Sequence, residues 1–470
     1  MDKSDFGTWS HAAADWSTEY LNTVGEKPVR SQVSPGDIQK QIAASPPEKG
    51  EGMQAIFDDF KEIIPDGMTH WQHPRFFAYF PSNAAPAAIV AEQLAGAMSV
   101  NGMLWQTSPA ATELEISMMD WLRQAVGLPS EFKGVMQDTA STATLCAVLT
   151  MRELALDRKG NQEGLFGKPA VRVYASSRTH TSIDKALWVA GLGQNNLVKI
   201  DTKEDYSLDI DLLKQAIKND REAGMLPAGI VICVGGTSMG ACDHVREICE
   251  LAIEEGLYTH VDAAWAGSAM ICPEFRHMWE GIELADSIVM NPHKWLGASL
   301  ECSAHFIRDP AKLINTMAIR PEYLKTYDQK DLTNFSEWSV TLGRRFRALK
   351  VWFLLRAYGL EGLRERIRNH VTWSCDLAEQ LRANENFEIV TEPVLSLFTF
   401  RLTREGASDK ELDALNLELV TRINNDGRIY LTQSAHDGIS VIRFMTGQFD
   451  MEEADIKIAY AVIADIGASM

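Results

Sequence analysis

Ala285-Asp286-Ser287-Ile288-Val289-Met290-Asn291-Pro292-His293-Lys294-Trp295-Leu296-Gly297 joins a short apolar run to a loop that carries one lysine. The run has the length and composition of a strand buried on both faces of a parallel sheet. Such a strand delivers Asn291 to Lys294 into the loop beyond its carboxyl end. Upstream, Tyr258-Thr259-His260-Val261-Asp262-Ala263-Ala264-Trp265-Ala266-Gly267 reads as a second strand that ends in a carboxylate followed by small residues. Two strand ends of one open α/β sheet face one crevice.

A lysine and a carboxylate in that relation are what pyridoxal phosphate requires. The amine holds the aldehyde as an imine, and the carboxylate keeps the pyridine nitrogen protonated so that the ring accepts electrons. The same two residues also read as an aspartate capping the next helix and a solvated surface lysine. Further parts of a site have to be found elsewhere in the chain.

At 470 residues, with 46% hydrophobic and 23% charged residues, the chain is long enough for two or three domains and has neither the composition of a disordered protein nor an eighteen-residue apolar run. A net charge of −19 excludes nucleic acid and anionic lipid surfaces as expected partners, since both reward basic surfaces. No membrane partner is expected. Met1 to Thr18 is acidic and polar rather than leader-like, which makes a cytoplasmic location the expectation. Seven cysteines without C-x-x-C spacing point to neither a disulfide framework nor zinc. His70 and His73 lack a third ligand nearby, so no metal is expected.

Three regions follow from the pattern. Residues 1–85 carry helix-like segments, including Asp15 to Val24 and Met53 to Ile64. Residues 86–358 alternate helices with runs at Val171 to Ala175, Leu197 to Ile200, Gly229 to Val234, Tyr258 to Val261, Ser287 to Met290 and Ser303 to Ile307, the signature of parallel βα units. Residues 359–470 open with a long amphipathic helix, Leu360 to Leu381. Strands at Phe387 to Val390, Ser396 to Leu402, Arg428 to Leu431 and Ile439 to Phe444 complete a small α+β domain.

Three more segments fall where a cofactor site needs them. Gly134 to Leu145 places Ala140, Ser141 and neighbouring threonines directly before an apolar helix, a start that suits phosphate and equally an ordinary Ser/Thr cap. Ser176-Ser177-Arg178-Thr179-His180-Thr181-Ser182 follows the strand through Val173, so His180 could stack on a pyridine ring. Gly235-Gly236-Thr237-Ser238-Met239-Gly240 lets backbone approach a ligand while Thr237 offers a hydroxyl. Phosphate loop, His, Thr, Asp and Lys thus all fall at strand ends.

In this order of motifs the chain resembles the group II pyridoxal-phosphate decarboxylases, in particular the aromatic L-amino acid decarboxylases of fold type I. The resemblance runs from His70-Trp71 and Phe76-Phe77-Ala78-Tyr79-Phe80-Pro81 through Ser108-Pro109-Ala110-Ala111-Thr112-Glu113-Leu114-Glu115 and Asn291-Pro292-His293-Lys294-Trp295 to Leu342-Gly343-Arg344-Arg345-Phe346-Arg347. It implies a large α/β domain with a mostly parallel seven-stranded sheet, an N-terminal helical dimerisation region and a small C-terminal domain.

Residue by residue, the resemblance implies that Lys294 anchors pyridoxal 5'-phosphate, Asp262 pairs with the pyridinium, and His180 stacks on the ring. Ala140, Ser141, Asn291 and His293 hold the phosphate, and Thr237 and Ala264 line the ring. Trp71, Tyr79, Phe80, Pro81 and Ser82 shape a pocket for an aromatic amino acid. Asn101 and Met103 reach into the neighbouring subunit's pocket, which implies a homodimer. Glutamate decarboxylases carry Gly-His-Lys-Tyr-Gly at the lysine, which disfavours a small acidic substrate here.

Within the family, a tyrosine on a loop after the lysine donates the proton that gives an amine, and aldehyde-forming relatives carry phenylalanine instead. Arg320-Pro321-Glu322-Tyr323-Leu324-Lys325 is similar to that loop, and the competing placement would put Phe335 there. Decarboxylation to amine and carbon dioxide is therefore expected. An aldehyde synthase and a catalytically inactive interaction dimer are the alternatives. Gly343 leaves room for a large ring, so tryptophan is the first choice, then DOPA, tyrosine and phenylalanine.

Overall fold

Strands β1 (Lys133–Gln137), β2 (Val171–Ser176), β3 (Leu197–Ile200), β4 (Leu226–Cys233), β5 (Tyr258–Asp262), β6 (Ser287–Met290) and β7 (Ser303–Ile307) form one sheet in the order β1-β7-β6-β5-β4-β2-β3. In this computed structural model, which describes residues 1–319 and 332–470, β2 pairs in parallel with β3 and β4, β4 with β5, and β5 with β6. Strand β7 alone runs the other way, antiparallel to both β6 and β1. Every residue of β5, β6 and β7 is buried, including the polar Thr259, His260, Ser287, Ser303 and His305.

Six of the seven strands coincide with runs visible in the sequence. The seventh, β1, contains one glycine and only two large apolar residues. Its strand character comes from its partner, with Lys133 opposite Ile307 and Gln137 opposite Ser303. A Cβ at Gly134 would run into Met119 and stand 3.2 Å from Phe306, so the glycine lets a helix and a strand close on this edge.

Helix Ala140–Ala155 crosses the sheet. Its Ala147, Val148 and Met151 pack with Val173, Ala175, Val231 and Tyr258 in an apolar core. This sheet and its helices belong to a unit of residues 82–372 and 393–397.

The other unit comprises residues 1–81, 373–392 and 398–470. Helices Phe6–Thr23 and Met53–Ile63 lie in it. Strands β8 (Phe387–Val394), β9 (Leu397–Leu402), β10 (Thr432–His436) and β11 (Ile439–Met445) form an antiparallel sheet in the order β10-β11-β9-β8. Its core gathers Phe77, Phe398, Phe400 and Phe444 with apolar residues of the helices Asp409–Asp426 and Glu453–Ala468.

The expected strand Arg428 to Leu431 is displaced. The strand is Thr432–His436, whereas Tyr430 makes a single parallel bridge to Phe76. Ile429 and Leu431 are buried, so their alternation signals core packing rather than a place in the sheet. The long helix spans Ala348–Arg382 and is broken at Gly359, whose φ of +62° only glycine adopts readily.

Candidate active site

Strand β6 ends at Met290, and Pro292 opens a single helical turn, Pro292–Trp295, in which Lys294 N–H bonds the Asn291 carbonyl at 2.9 Å. Proline suits this first position because its missing N–H would have no partner there. The turn is fixed from several sides. Asn291 N–H donates to the Ala264 carbonyl at 2.9 Å, tying the loop after β6 to the loop after β5. Ser303 Oγ donates to Asn291 Oδ1 at 2.6 Å. Trp295 stacks on Trp265 at 5.2 Å and donates its Nε1–H to His370 Nδ1 at 2.9 Å.

Asp262 closes β5 and is buried, with the Ala264 N–H donating to its Oδ1 at 3.1 Å. His180 stands in the electrostatic reach of both residues. Desolvation lowers its pKa most, the Asp262 carboxylate opposes that shift, and the Lys294 ammonium adds to it. His180 Nδ1 accepts from the Ser182 backbone N–H at 3.1 Å and lies 2.8 Å from Ser182 Oγ. The neutral ring therefore carries its proton on Nε2.

Helix Ala140–Ala155 begins without a side-chain cap: Thr139 is extended and its carbonyl accepts the N–H groups of Thr142 and Ala143, but its hydroxyl makes no cap hydrogen bond. The first-turn N–H groups of Ala140 and Ser141 are thereby left to an anion. Burial pulls the His293 pKa down to about 4, against the opposing pull of the Cys302 carbonyl. His293 Nδ1 lies 2.6 Å from the Cys302 carbonyl oxygen and 3.1 Å from the Cys302 backbone nitrogen, so the Cys302 peptide fixes the ring from that side.

Thr237 sits on a tight turn after β4. Gly235 and Gly236 both donate to the Ala241 carbonyl, at 3.1 and 2.8 Å, and Gly235 has a φ of +81°. A Cβ at Gly235 would meet Ala266 and Trp265, so glycine lets this turn lie directly on the one that follows Asp262.

The structure thus gathers His180, Asp262 and Lys294, the Thr237 turn, Ala264, Asn291, His293 and the Ala140–Ser141 helix start around the carboxyl ends of the strands. The donor set suits a flat, anionic, carbonyl-bearing cofactor: an uncapped helix start for the anion, an amine for the carbonyl, a buried carboxylate for a cationic ring nitrogen, and an imidazole for the ring face.

Asn101, Met103 and Gly343 also come together. Asn101 Oδ1 accepts from Arg344 N–H at 3.0 Å, Gly102 N–H donates to the Arg344 carbonyl at 2.9 Å, and Ser336 N–H donates to the Met103 carbonyl at 3.0 Å. A Cβ at Gly343 would find Asn101 Nδ2 at 3.9 Å, an ordinary contact.

Trp71, Tyr79, Phe80 and Pro81 lie in the unit that holds β8 to β11, and Ser82 in the other. Trp71 stacks on Tyr79 at 5.9 Å, Phe80 lies 5.3 Å from the Arg443 guanidinium, and Pro81 fills the space beside Gly447. Tyr323 lies outside the described residues. Phe335, the competing candidate for its role, is a core residue packed against Trp338 and beneath the Arg344 guanidinium. Ser182, Ser303 and the Cys302 backbone orient the site, and sequence reasoning gave none of them a role. Ser303, whose partner Asn291 lies in another segment, leaves no periodic or motif signal, and Ser182, two residues from His180, looks like any serine at a helix start.

Residues 35–403 match the pyridoxal-dependent decarboxylase conserved domain. The chain is similar to L-tyrosine/L-DOPA decarboxylase 2 of Lophophora williamsii, at 36% identity over 99% of this chain and 94% of that one. It is also similar to phenylacetaldehyde synthase of Petunia hybrida, at 35% identity over 100% and 96% of the two chains. Among solved structures, Oryza sativa TDC with PLP and tryptamine superposes with a TM-score of 0.97 at 36% identity, over 100% of this chain and 99% of that one.

Proposed function

The chain belongs to the pyridoxal-dependent decarboxylases, with pyridoxal 5'-phosphate as cofactor, and on that premise we propose that it converts an aromatic L-amino acid to the corresponding amine and carbon dioxide. The observation that carries this reading is the meeting of Lys294, Asp262 and His180 in one crevice with the uncapped helix start at Ala140.

When bound, the cofactor supplies an electron sink for the pair left behind as carbon dioxide departs. The side chains do the rest. Lys294 anchors the aldehyde and yields its place to the substrate amine. Asp262 holds the proton on the ring nitrogen; that buried pair is tolerable because both charges are matched. His180, fixed by Ser182, covers one ring face, with Thr237 and Ala264 along the edge. Ala140, Ser141, Asn291 and His293 hold the phosphate. Tyr323 donates the proton to Cα that makes the product an amine.

Trp71, Tyr79, Phe80, Pro81 and Ser82 shape the substrate pocket, with Asn101 and Met103 contributed by a second copy of the chain. Tryptophan is the preferred substrate, followed by DOPA, tyrosine and phenylalanine, because the hydrogen at Gly343 leaves ring space beside Asn101. The enzyme acts as a cytoplasmic homodimer. Exposed Val90, Leu94 and Met98 form an i, i+4, i+8 apolar stripe on helix Pro86–Met98, as a buried two-fold interface requires. Among the described residues no helix is long and apolar enough to cross a membrane.

An amine-release screen across the four amino acids, with carbon dioxide, oxygen uptake and peroxide measured together, tests the assignment. Amine and carbon dioxide in equal amounts are expected. Aldehyde with oxygen consumption as the main outcome would make the chain an aldehyde synthase like its Petunia relative. Tyr323→Phe should move product toward aldehyde, ammonia and peroxide, and an unchanged amine yield would remove Tyr323 from the mechanism.

A further inference from the structure

A cavity of about 310 Å³ opens at the opposite end of the sheet from the cofactor crevice. Leu154 and Ala155 line it from the last turn of the helix whose first turn holds Ala140 and Ser141. Tyr258 lines it from the first position of β5, whose last residue is Asp262. Four residues of strand rise, about 13 Å, separate those two positions. Asp286 lines it immediately before β6, the strand that leads to Lys294.

The cavity has two chemical halves. Leu154, Ala228, Leu257 and the Tyr258 ring make an apolar floor. The wall is polar: Asp286 receives Lys312 Nζ at 2.8 Å and the Arg308 guanidinium at 3.5 Å, while Thr259 N–H donates to its other oxygen at 3.0 Å. The carboxylate is therefore satisfied from within the protein. Among the residues that line the cavity two cations share this one carboxylate, which leaves one positive charge over, with Asp309 in electrostatic reach of Tyr258 but outside the lining. Arg308 has unused donors, because among the described residues its side chain makes only that one long hydrogen bond. Lys312 Nζ lies 5.5 Å from the Tyr258 ring centre, at the border between wall and floor. Arg308 and Lys312 are each about one-third exposed, so a ligand reaches them from solvent.

We propose that this cavity is a second ligand site, separate from the cofactor crevice, for a small carboxylate with an apolar body. One residual positive charge suits a monoanion, and the guanidinium fork suits a carboxylate head. The floor takes the tail, and the volume lies at the lower end of the range for small-molecule pockets.

Isothermal titration calorimetry on the cofactor-loaded enzyme tests it, with hexanoate as probe, hexan-1-ol as the same tail without charge, and acetate as the head without a tail. Hexanoate should bind saturably at one site per chain, with hexan-1-ol and acetate weaker by about tenfold or more. Arg308→Gln should weaken hexanoate by a similar factor, and Ile253→Trp, which fills the mouth from an exposed position, should abolish binding. Phenylethylamine should not displace hexanoate. Absence of saturable hexanoate binding, undiminished binding by both variants, or displacement by phenylethylamine would each overturn the proposal.

Discussion

Replacing Glu115 by Gln isolates the energetics of the segment that carries Gly343. The Arg344 and Glu115 side chains are 1% and 7% exposed, and their nitrogen and oxygen lie 2.7 Å apart. The same Arg344 nitrogen donates to the Met136 carbonyl at 2.6 Å, Met136 N–H donates back to Glu115 Oε1 at 2.8 Å, and the guanidinium lies 4.8 Å from the centre of the Phe335 ring. Glutamine keeps an oxygen for Met136 but leaves the arginine charge buried and unmatched. Removing one partner of such a pair costs about 3–5 kcal/mol, whereas replacing both by apolar residues of similar size is often neutral. Glu115→Gln should therefore lower the urea midpoint by an amount worth about 3–5 kcal/mol, and Glu115→Met with Arg344→Met should recover part of it, the rest being held back by the unpaired Met136 N–H and carbonyl. Unfolding is followed by far-UV circular dichroism at one protein concentration, since assembly shifts the midpoint. Because Arg344 N–H also holds Asn101 Oδ1, KM for the aromatic substrate should rise in the single variant. A loss below about 1 kcal/mol, or a double variant no more stable than the single one, would refute the reasoning.

His305 is buried on β7, and neither ring nitrogen has a partner among the described residues, while burial pulls its pKa down to about 3. The unfolded chain binds this proton near pH 6.5 and the folded chain does not, so its contribution is present above that pH and lost as pH falls toward 3. His305→Leu should leave stability at pH 7 unchanged or raise it by about 1–3 kcal/mol, and should flatten the fall in urea midpoint between pH 6 and pH 4; a fall as steep as in the parent protein would count against this account. Gly343→Ser should keep the melting temperature, because the new Cβ meets only Asn101 Nδ2 at 3.9 Å, while kcat/KM for tryptophan drops relative to tyrosine; an unchanged ratio would place residue 343 outside the pocket. Leu94→Asp, on the exposed stripe of helix Pro86–Met98, should convert dimer to monomer in sedimentation velocity, and an unaltered dimer would move the interface elsewhere.

How far the sequence could be read depended on where the information for each element resides. Strand β6 was legible from its apolar run Ile288-Val289-Met290 and β5 from its alternating apolar pattern, and Asp262, which closes β5, and Lys294, in the turn after β6, inherit their positions from those strand ends. Strand β1 was not, since its pairing is decided by β7, far along the chain, rather than by its own side chains. Ile429 and Leu431 misled for the complementary reason: burial alone produces an apolar alternation without sheet pairing. Within the candidate site, the residues proposed to carry the chemistry were picked out by type and order. Of their orienting partners, Ser303 meets Asn291 only once two segments come together, whereas Ser182 lies two residues from His180 and resembles any other serine at a helix start.

The reversed strand β7 governs when this protein becomes competent during synthesis. It stands between β1 and β6, so the uncapped helix start that follows β1 joins the lysine-bearing half of the sheet through a segment made after both. A nascent chain that has emerged through Lys294 but not Ile307 exposes the open edges of β1 and β6, each a template for pairing with a wrong strand. The two halves of the candidate site are therefore joined in one sheet only once Ser303 to Ile307 has been made.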